Sequence, residues 1–591
     1  MALKARPRAR TSSWRPTART TPRPSSTPPC EVFFSELAPY DAKDPKHKNV
    51  RHPLCQFPAR FLWLSKALSI DSKRLKLRAC APYSEFKSSL QAKSVTLVFS
   101  SYYLNNPASA FGHTFLRINK ANPHVPEERR QLLDYGLDFS AEVDTKNALF
   151  YAIKGIFGLF PGTFRKLPYY YKVREYNDYE SRDLWEYELT LGEAQLNMLV
   201  AHAWELGATF FPYYYATANC SYAILALLEA ADPSLSLLAH LHAPVIPADT
   251  VKSLYGNKGL VGRVKYRPSM RSVFQHRIRN LTDEQRKSLE HLVQTPDAPL
   301  PAALTTAQRI QMFDAAQDLV DIRYSRELVD IKKDGQGAKI KQRLMERRAE
   351  MLVPSADADV PVPSAKRPER GHASRRLAMG GGVDSGGGRF LTLGGRLALH
   401  DLADSAPGYP ELAQLEFLQT KARFDVVSRA FQLDELDLVR VVSLTSYGRF
   451  DPHMSWNVRF GALRMEDAGC HCVGGRFAIG GGAAKSWMND GLTLFTTLQT
   501  QVISAPDLHG IAGIPLRVGV GPSIGARWRI SDRLVALATA ELLWQPQQDP
   551  VTALTIAGTL RWQAAQALAF DLAVTHERGS TACVLQTMIY F

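Results

Sequence analysis

The chain reads as an α+β domain, a helical spacer, and a C-terminal antiparallel transmembrane β-barrel of about 10–12 strands. Three observations lead there. Residues 217–233 read as one apolar helix with Cys220 in its first turn and Pro233 ending it. His113 sits in a short alternating run that reads as a strand. From about Ala373 charge thins, and glycine and alternating apolar residues take over through the terminal Phe591.

At 591 residues the chain is too long for one core, so two or more domains are expected. The boundaries read as a disordered basic arm at 1–29, a catalytic domain at 30–270, a spacer at 271–353, a linker at 354–372 and the barrel at 373–591. No stretch reaches the ~20 apolar residues of a spanning helix. The net charge of +15 draws on the basic arm and on a Lys/Arg-rich stretch near 324–348. No nucleic-acid motif accompanies that charge, so solvated helix surface, touching anionic headgroups, is the better reading. The arm has the charge of a leader's first region without its apolar core.

Within 30–270, a loop and a helix are expected over 46–70, and Cys55 and Cys80 either form a disulfide or remain two buried thiols. Ser94–Leu104 reads as a strand, 105–109 as a turn, and 131–139 as a third strand after the His113 run. Together they suggest a small antiparallel sheet with the Cys220 helix against it. In the His113 run, Phe111, His113, Phe115 and Arg117 share one face, and Gly112, Thr114, Leu116 and Ile118 the other.

The chemistry follows from placement. Thr217 and Asn219 are both good N-caps, so Cys220 meets unpaired N–H groups and the positive end of a helix dipole. That environment favours the thiolate. A thiolate needs a base, and His113 is the upstream candidate. Cysteine on a helix start opposite a strand histidine is the papain-like arrangement, here in circularly permuted order because the histidine comes first. The plain alternative is an inert packed cysteine and a satisfied core histidine. Asp134 is the candidate to orient the imidazole, with Tyr135 and Asp138 behind it; surface pairing is its alternative. Tyr102, Tyr103 or Asn219 is expected to donate to an oxyanion.

Five blocks carry a family resemblance: Ser100–Arg117, Tyr151–Gly158, Lys172–Asp178, Leu184–Tyr187 and Asn219–Tyr222. They are similar, in order, to the signature of the Lnb N-terminal periplasmic domain family over roughly 30–270. The resemblance implies a lipoprotein N-acyltransferase-like fold and activity, with His113 and Cys220 at the family's His and Cys. Tyr102, Tyr103, Asn219 and Tyr222 are the substrate-side candidates. The same His-then-Asn-Cys order resembles lecithin:retinol acyltransferase and permuted relatives of NlpC-type peptidases.

Residues 149–171 are aromatic, punctuated by Gly and Pro, and interspersed with Lys and Arg. They read either as a lid dipping into a lipid interface or as a buried loop closing the core. The Tyr213–Tyr215 run either lines an acyl pocket or packs. Residues 275–353 read as two to four helices, with capping boxes at Thr282 and Thr305. In the barrel, 390–400, 456–464, 516–529, 554–562 and 568–575 have the alternation of tilted spanning strands, with Arg and Ser inward. Cys470-His-Cys472 is too short for a zinc site and reads as loop.

These readings predict an envelope thiol acyltransferase in the outer membrane with a periplasmic N-terminal domain. Its expected partners are phospholipid and lipoprotein, with no nucleic acid, no cofactor and no metal. A thiol hydrolase acting on peptidoglycan, and a non-enzymatic barrel with a binding module, are the alternatives.

Overall fold

The computed structural model describes residues 6–7, 52–71, 80–102, 111–121, 131–145, 147–329, 335–356, 358–405, 407–467, 470–488, 490–508, 513–546, 551–577 and 579–591. Tyr103, Cys30, the 105–109 turn and the basic arm apart from Arg6–Pro7 lie outside the described residues. The chain forms two compact units, Met1–Val362 and Pro363–Phe591, divided inside the expected linker.

The first unit is built on an antiparallel sheet. Its strands are β1 (Ala92–Ser100), β2 (His113–Lys120), β3 (Tyr135–Ala141), β4 (Phe160–Pro168), β5 (Leu184–Leu189), β6 (Thr209–Tyr213) and β7 (Val261–Arg267). They lie in the order β6-β4-β3-β2-β1-β5-β7, with the two-residue strand Arg6–Pro7 beyond β6. The expected strand at Ser94–Leu104 ends at Ser100, so Tyr102 lies past it. Val95 to Ser100 are all buried because the sheet is covered on both faces. The helices Glu193–Gly207 and Cys220–Ala231 cover the face that carries Thr114 and Phe139. Phe115, Tyr169 and Tyr176 form a buried cluster on the other.

Local signals hold where they are strong. Asn219, not Thr217, is the N-cap, accepting from the Tyr222 amide, and Ile224, Leu225, Leu227 and Leu228 are buried as the helix's apolar side. Cys55 and Cys80 are disulfide-bonded, joining the Pro53–Gln56 turn to the start of the Ala81–Leu90 helix. Thr282 and Thr305 each close a complete capping box.

The region expected as a spacer belongs to the first unit. Its helices are Met270–Arg277, Asp283–Gln294, Thr306–Arg323, Ser325–Val329 and Gln336–Ala349. Ion pairs from Asp314 to Arg277 (3.1 Å) and Arg348 (3.1 Å) tie three of them together. Arg174 donates to the Leu328 carbonyl at 3.0 Å and Asn177 to the Pro268 carbonyl at 2.8 Å, docking the layer on the sheet domain. A free spacer would leave these groups solvated; here they are paired.

The second unit is a closed antiparallel barrel of twelve strands, running from Arg376–Asp384 to Ser580–Tyr590. The first strand pairs with the last, Ala582 opposite Asp384 and Tyr590 opposite Arg376, so no edge is left open. Leu560 and Trp562 face outward and are exposed, while Arg561 between them is buried in the lumen. This period-two inversion, apolar out and polar in, belongs to a wall surrounded by hydrocarbon. Cys470 and Cys472 are paired at the start of the strand Cys470–Trp487, not in a loop, because Cys472 sits in register with Met465.

The expected strand 390–400 breaks at Arg396. A three-residue strand, Ala398–His400, then leads into a turn that folds into the lumen. Asp404 there accepts from Arg396 (2.8 Å), Arg561 (2.6 Å) and Tyr590 (2.7 Å), on three different strands. Arg527 donates to the Leu402 carbonyl at 2.8 Å from a fourth. The inserted turn lies at the end where the chain enters at Arg376 and leaves at Phe591.

Candidate active site

The first helical residue after Asn219 is Cys220, which is 3% exposed. The helix packs on the sheet through Ser221, whose hydroxyl donates to Thr114 Oγ1 at 3.0 Å. Its first turn therefore reaches the head of β2. Gly112 shapes that corner. It has φ +86°, and a Cβ there would meet the Phe99 ring and the Ser100 carbonyl at 2.9 Å. No other residue fits that backbone without strain.

His113 follows, and its ring meets both the sulfur and a carboxylate. Nε2 lies 2.7 Å from Asp138 Oδ1, which leaves Nδ1 for Cys220. The sulfur interacts with the imidazole by hydrogen bond and by charge. Tyr176 packs against the imidazole, ring centroids 5.5 Å apart and planes tilted by 41°. Lys172 Nζ lies 2.8 Å from Asp138 Oδ2 and 3.0 Å from Glu175. A line of alternating charge thus runs Lys172–Asp138–His113–Cys220.

The electrostatics favour an ion pair. Burial pushes the Cys220 thiol up, but the charge and hydrogen bond of His113 outweigh it, and the thiol is lowered to about 7. Burial pushes His113 down, but Cys220 and Asp138 outweigh it and raise the imidazole to about 10. Asp138 is held well below the usual carboxylate range by Lys172 and His113, against its burial. The two residues titrate as a pair, thiolate beside imidazolium between these values.

Asp134 does not take the orienting place. Its Oδ1 accepts from the Lys120 amide at 2.9 Å, and its Oδ2 lies 3.6 Å from Arg117. Asp134, the residue before β3, and Asp138 within it are both even positions and share a face, but they stand two pleats apart along the chain. Because β2 and β3 pair Leu116 with Leu137, the register carries Asp138 to the His113 end of β2 and Asp134 to its far end, by Asn119 and Lys120.

Asn219 is not the oxyanion donor either. Its Nδ2 donates to the Tyr215 and Val245 carbonyls at 3.1 and 2.7 Å, so its amide is spent on holding the turn. Tyr213 stands closer to the sulfur: its hydroxyl accepts from the Cys220 amide at 3.2 Å and hydrogen-bonds the thiol. Tyr102 packs edge-on against Phe99, centroids 5.9 Å apart. Tyr222 lies about 200° round the helix from Cys220 and is half-buried on the flank that carries Glu229.

A cavity of about 480 Å³ lies elsewhere. Arg117, Asn119, Asp134, Glu186 and Lys265 line it, around the 2.7 Å Arg117–Glu186 pair, and Cys220 is not on its wall. Lys172 and Tyr176 escaped the sequence reading as functional; Asp138 stood there only behind Asp134, and Tyr213 only as acyl-pocket lining or packing. Lys172 and Tyr176 sit in one of the matching blocks, which was the available signal.

Residues 82–257 match the family model described as the Lnb N-terminal periplasmic domain. Residues 365–590 match a model described as a domain of unknown function, DUF7840. No curated protein matches the chain. Among solved structures, the barrel region is similar to the KdgM porin in complex with disordered oligogalacturonate, at 10% identity and TM-score 0.23, covering 36% of this chain and 99% of that one. It is also similar to in-vitro folded OmpT, an outer membrane protein of Vibrio cholerae, at 7% identity and TM-score 0.19, covering 37% and 96%.

Proposed function

We propose that this chain, which carries an Lnb N-terminal periplasmic domain at residues 82–257 ahead of an outer-membrane-type barrel, is a cell-envelope thiol acyltransferase. The observation that carries the reading is the line Cys220–His113–Asp138, a buried sulfur lowered to about 7 beside an oriented imidazole.

The chemistry runs in two halves. The Cys220 thiolate attacks the carbonyl carbon of a phospholipid acyl ester. The C–O bond breaks, and the leaving alkoxide takes the proton from His113. An amine then attacks the thioester carbonyl, the C–S bond breaks, and His113 takes the amine proton as the thiolate re-forms. Tyr213, beside the sulfur, is placed to donate to the developing oxyanion. Asp138, anchored by Lys172, fixes the ring so that Nδ1 serves the reaction. The amine of a lipoprotein is the proposed acceptor, because thioesters react readily with amines.

Product analysis tests it. The chain, given phospholipid and a lipoprotein with a free amino terminus, is expected to yield lysophospholipid and N-acylated lipoprotein in equal amounts. Free fatty acid alone, or cleaved muropeptide from peptidoglycan, would make it a hydrolase instead.

A further inference from the structure

The helix Ala148–Ile156 is turned inside out for a surface helix. Phe150, Ile156, Phe157 and Leu159 are each between 58% and 65% exposed, and Ile153 is 39% exposed. Positions 150, 153, 156 and 157 share one face at helical spacing. The opposite face is already packed. Tyr151 lies 5.4 Å from Tyr215 and 5.7 Å from Phe160, centroid to centroid, and Gly155 is pressed against the Tyr215 ring. Over 150–159 the outward face is the apolar one, whereas 160–171 continue as β4 and a short helix with Phe160, Phe164 and Tyr169 buried. Isolated exposed apolar residues are ordinary, but five large ones in ten positions make a binding surface.

We infer that the segment from Phe150 to Leu159 docks into the interfacial layer of a phospholipid bilayer beside the Cys220 site. The same chain carries a membrane-spanning barrel, so the protein resides at a bilayer. The segment has the form of an interfacial anchor, an apolar face flanked by charge, here the Lys154–Asp144 pair at 2.7 Å. It is also coupled to the nucleophile. The Tyr215 amide donates to the Gly155 carbonyl at 3.0 Å, and the Tyr215 carbonyl accepts from Asn219, the residue before Cys220. Docking therefore brings the lipid surface two hydrogen bonds from the sulfur. The inference concerns where the bilayer sits and does not need the acyl chemistry.

The test uses the full chain carrying Cys220→Ala, refolded into phospholipid vesicles, so that no acyl transfer contributes. The photo-crosslinking residue p-benzoylphenylalanine replaces Phe157 in one sample and Ile153 in another. The outward barrel residue Leu560 serves as the lipid-facing reference. After irradiation the crosslinked peptides are identified by mass spectrometry. Lipid adducts at 153 and 157, in yield comparable to 560, are expected. Crosslinks to a second copy or to the chain's own barrel, or no lipid adduct at either position while 560 gives one, overturn the inference.

Discussion

Asp138 Oδ1 stands 2.7 Å from His113 Nε2, and this one contact decides which face of the imidazole is left for Cys220. Lys172, 2.8 Å behind the same carboxylate, keeps it ionised. The positive charge on the ring and the negative charge on the sulfur then stabilise each other in a buried corner, where little water screens them.

The pH dependence follows from that pairing. Below about 7 the sulfur holds its proton and is unreactive; above it the thiolate forms beside the imidazolium. Alkylation of Cys220 by iodoacetamide is expected to rise with pH through an apparent pKa of about 7. Acyl transfer is expected to rise through the same value and fall as the imidazolium is lost near 10. In His113→Ala the alkylation midpoint moves up toward an ordinary thiol. An unchanged midpoint in that variant would show that the imidazole does not set the sulfur's state.

Asp138 and Asp134 make opposite predictions. Asp138→Asn leaves the ring without its anion and is expected to lower kcat by about 10²-fold or more, with KM little changed. It also raises the alkylation midpoint. Asp134→Asn breaks the contacts to Lys120 and Arg117 and is expected to lower stability while leaving that midpoint in place. The two midpoints, measured side by side, check which carboxylate orients the ring.

Gly112→Ala forces a side chain into a left-handed backbone against the Phe99 ring and the Ser100 carbonyl. Strain of this kind costs about 1–3 kcal/mol. The denaturant midpoint of the first unit should fall accordingly, and the His113–Cys220 approach should loosen with it. Wild-type stability and activity in this variant would mean that the corner is not rigid.

The barrel is expected not to conduct. Asp404 is held by Arg396, Arg561 and Tyr590, which ties the inserted turn across that end of the lumen. In planar bilayers the full chain should show no steady current. Asp404→Ala leaves two buried guanidinium groups short of a partner, a loss of about 3–5 kcal/mol for a broken buried pair, and should produce open events. Steady ohmic current through the wild-type chain would contradict the plug.

What the sequence made legible was local or periodic. The N-cap at Asn219, the capping boxes at Thr282 and Thr305, and the alternation through Arg561 each depend on neighbours a few residues away. The His113 strand and the Cys220 helix were readable for the same reason. The third residue was not, because Asp134 and Asp138 have the same parity and only the cross-strand register separates them. Lys172 reaches the site from after β4, a placement no spacing rule supplies. The inserted turn at Asp404 was invisible too: its carboxylate meets Arg561, 157 residues away, and Tyr590, 186 residues away.

The most direct test of the account is the mass of the intact protein after incubation with phospholipid. The account predicts a gain equal to one acyl chain, mapped to Cys220 rather than Cys583, removed by hydroxylamine and absent in Cys220→Ala. An unmodified wild-type chain, or the same adduct in Cys220→Ala, would contradict it.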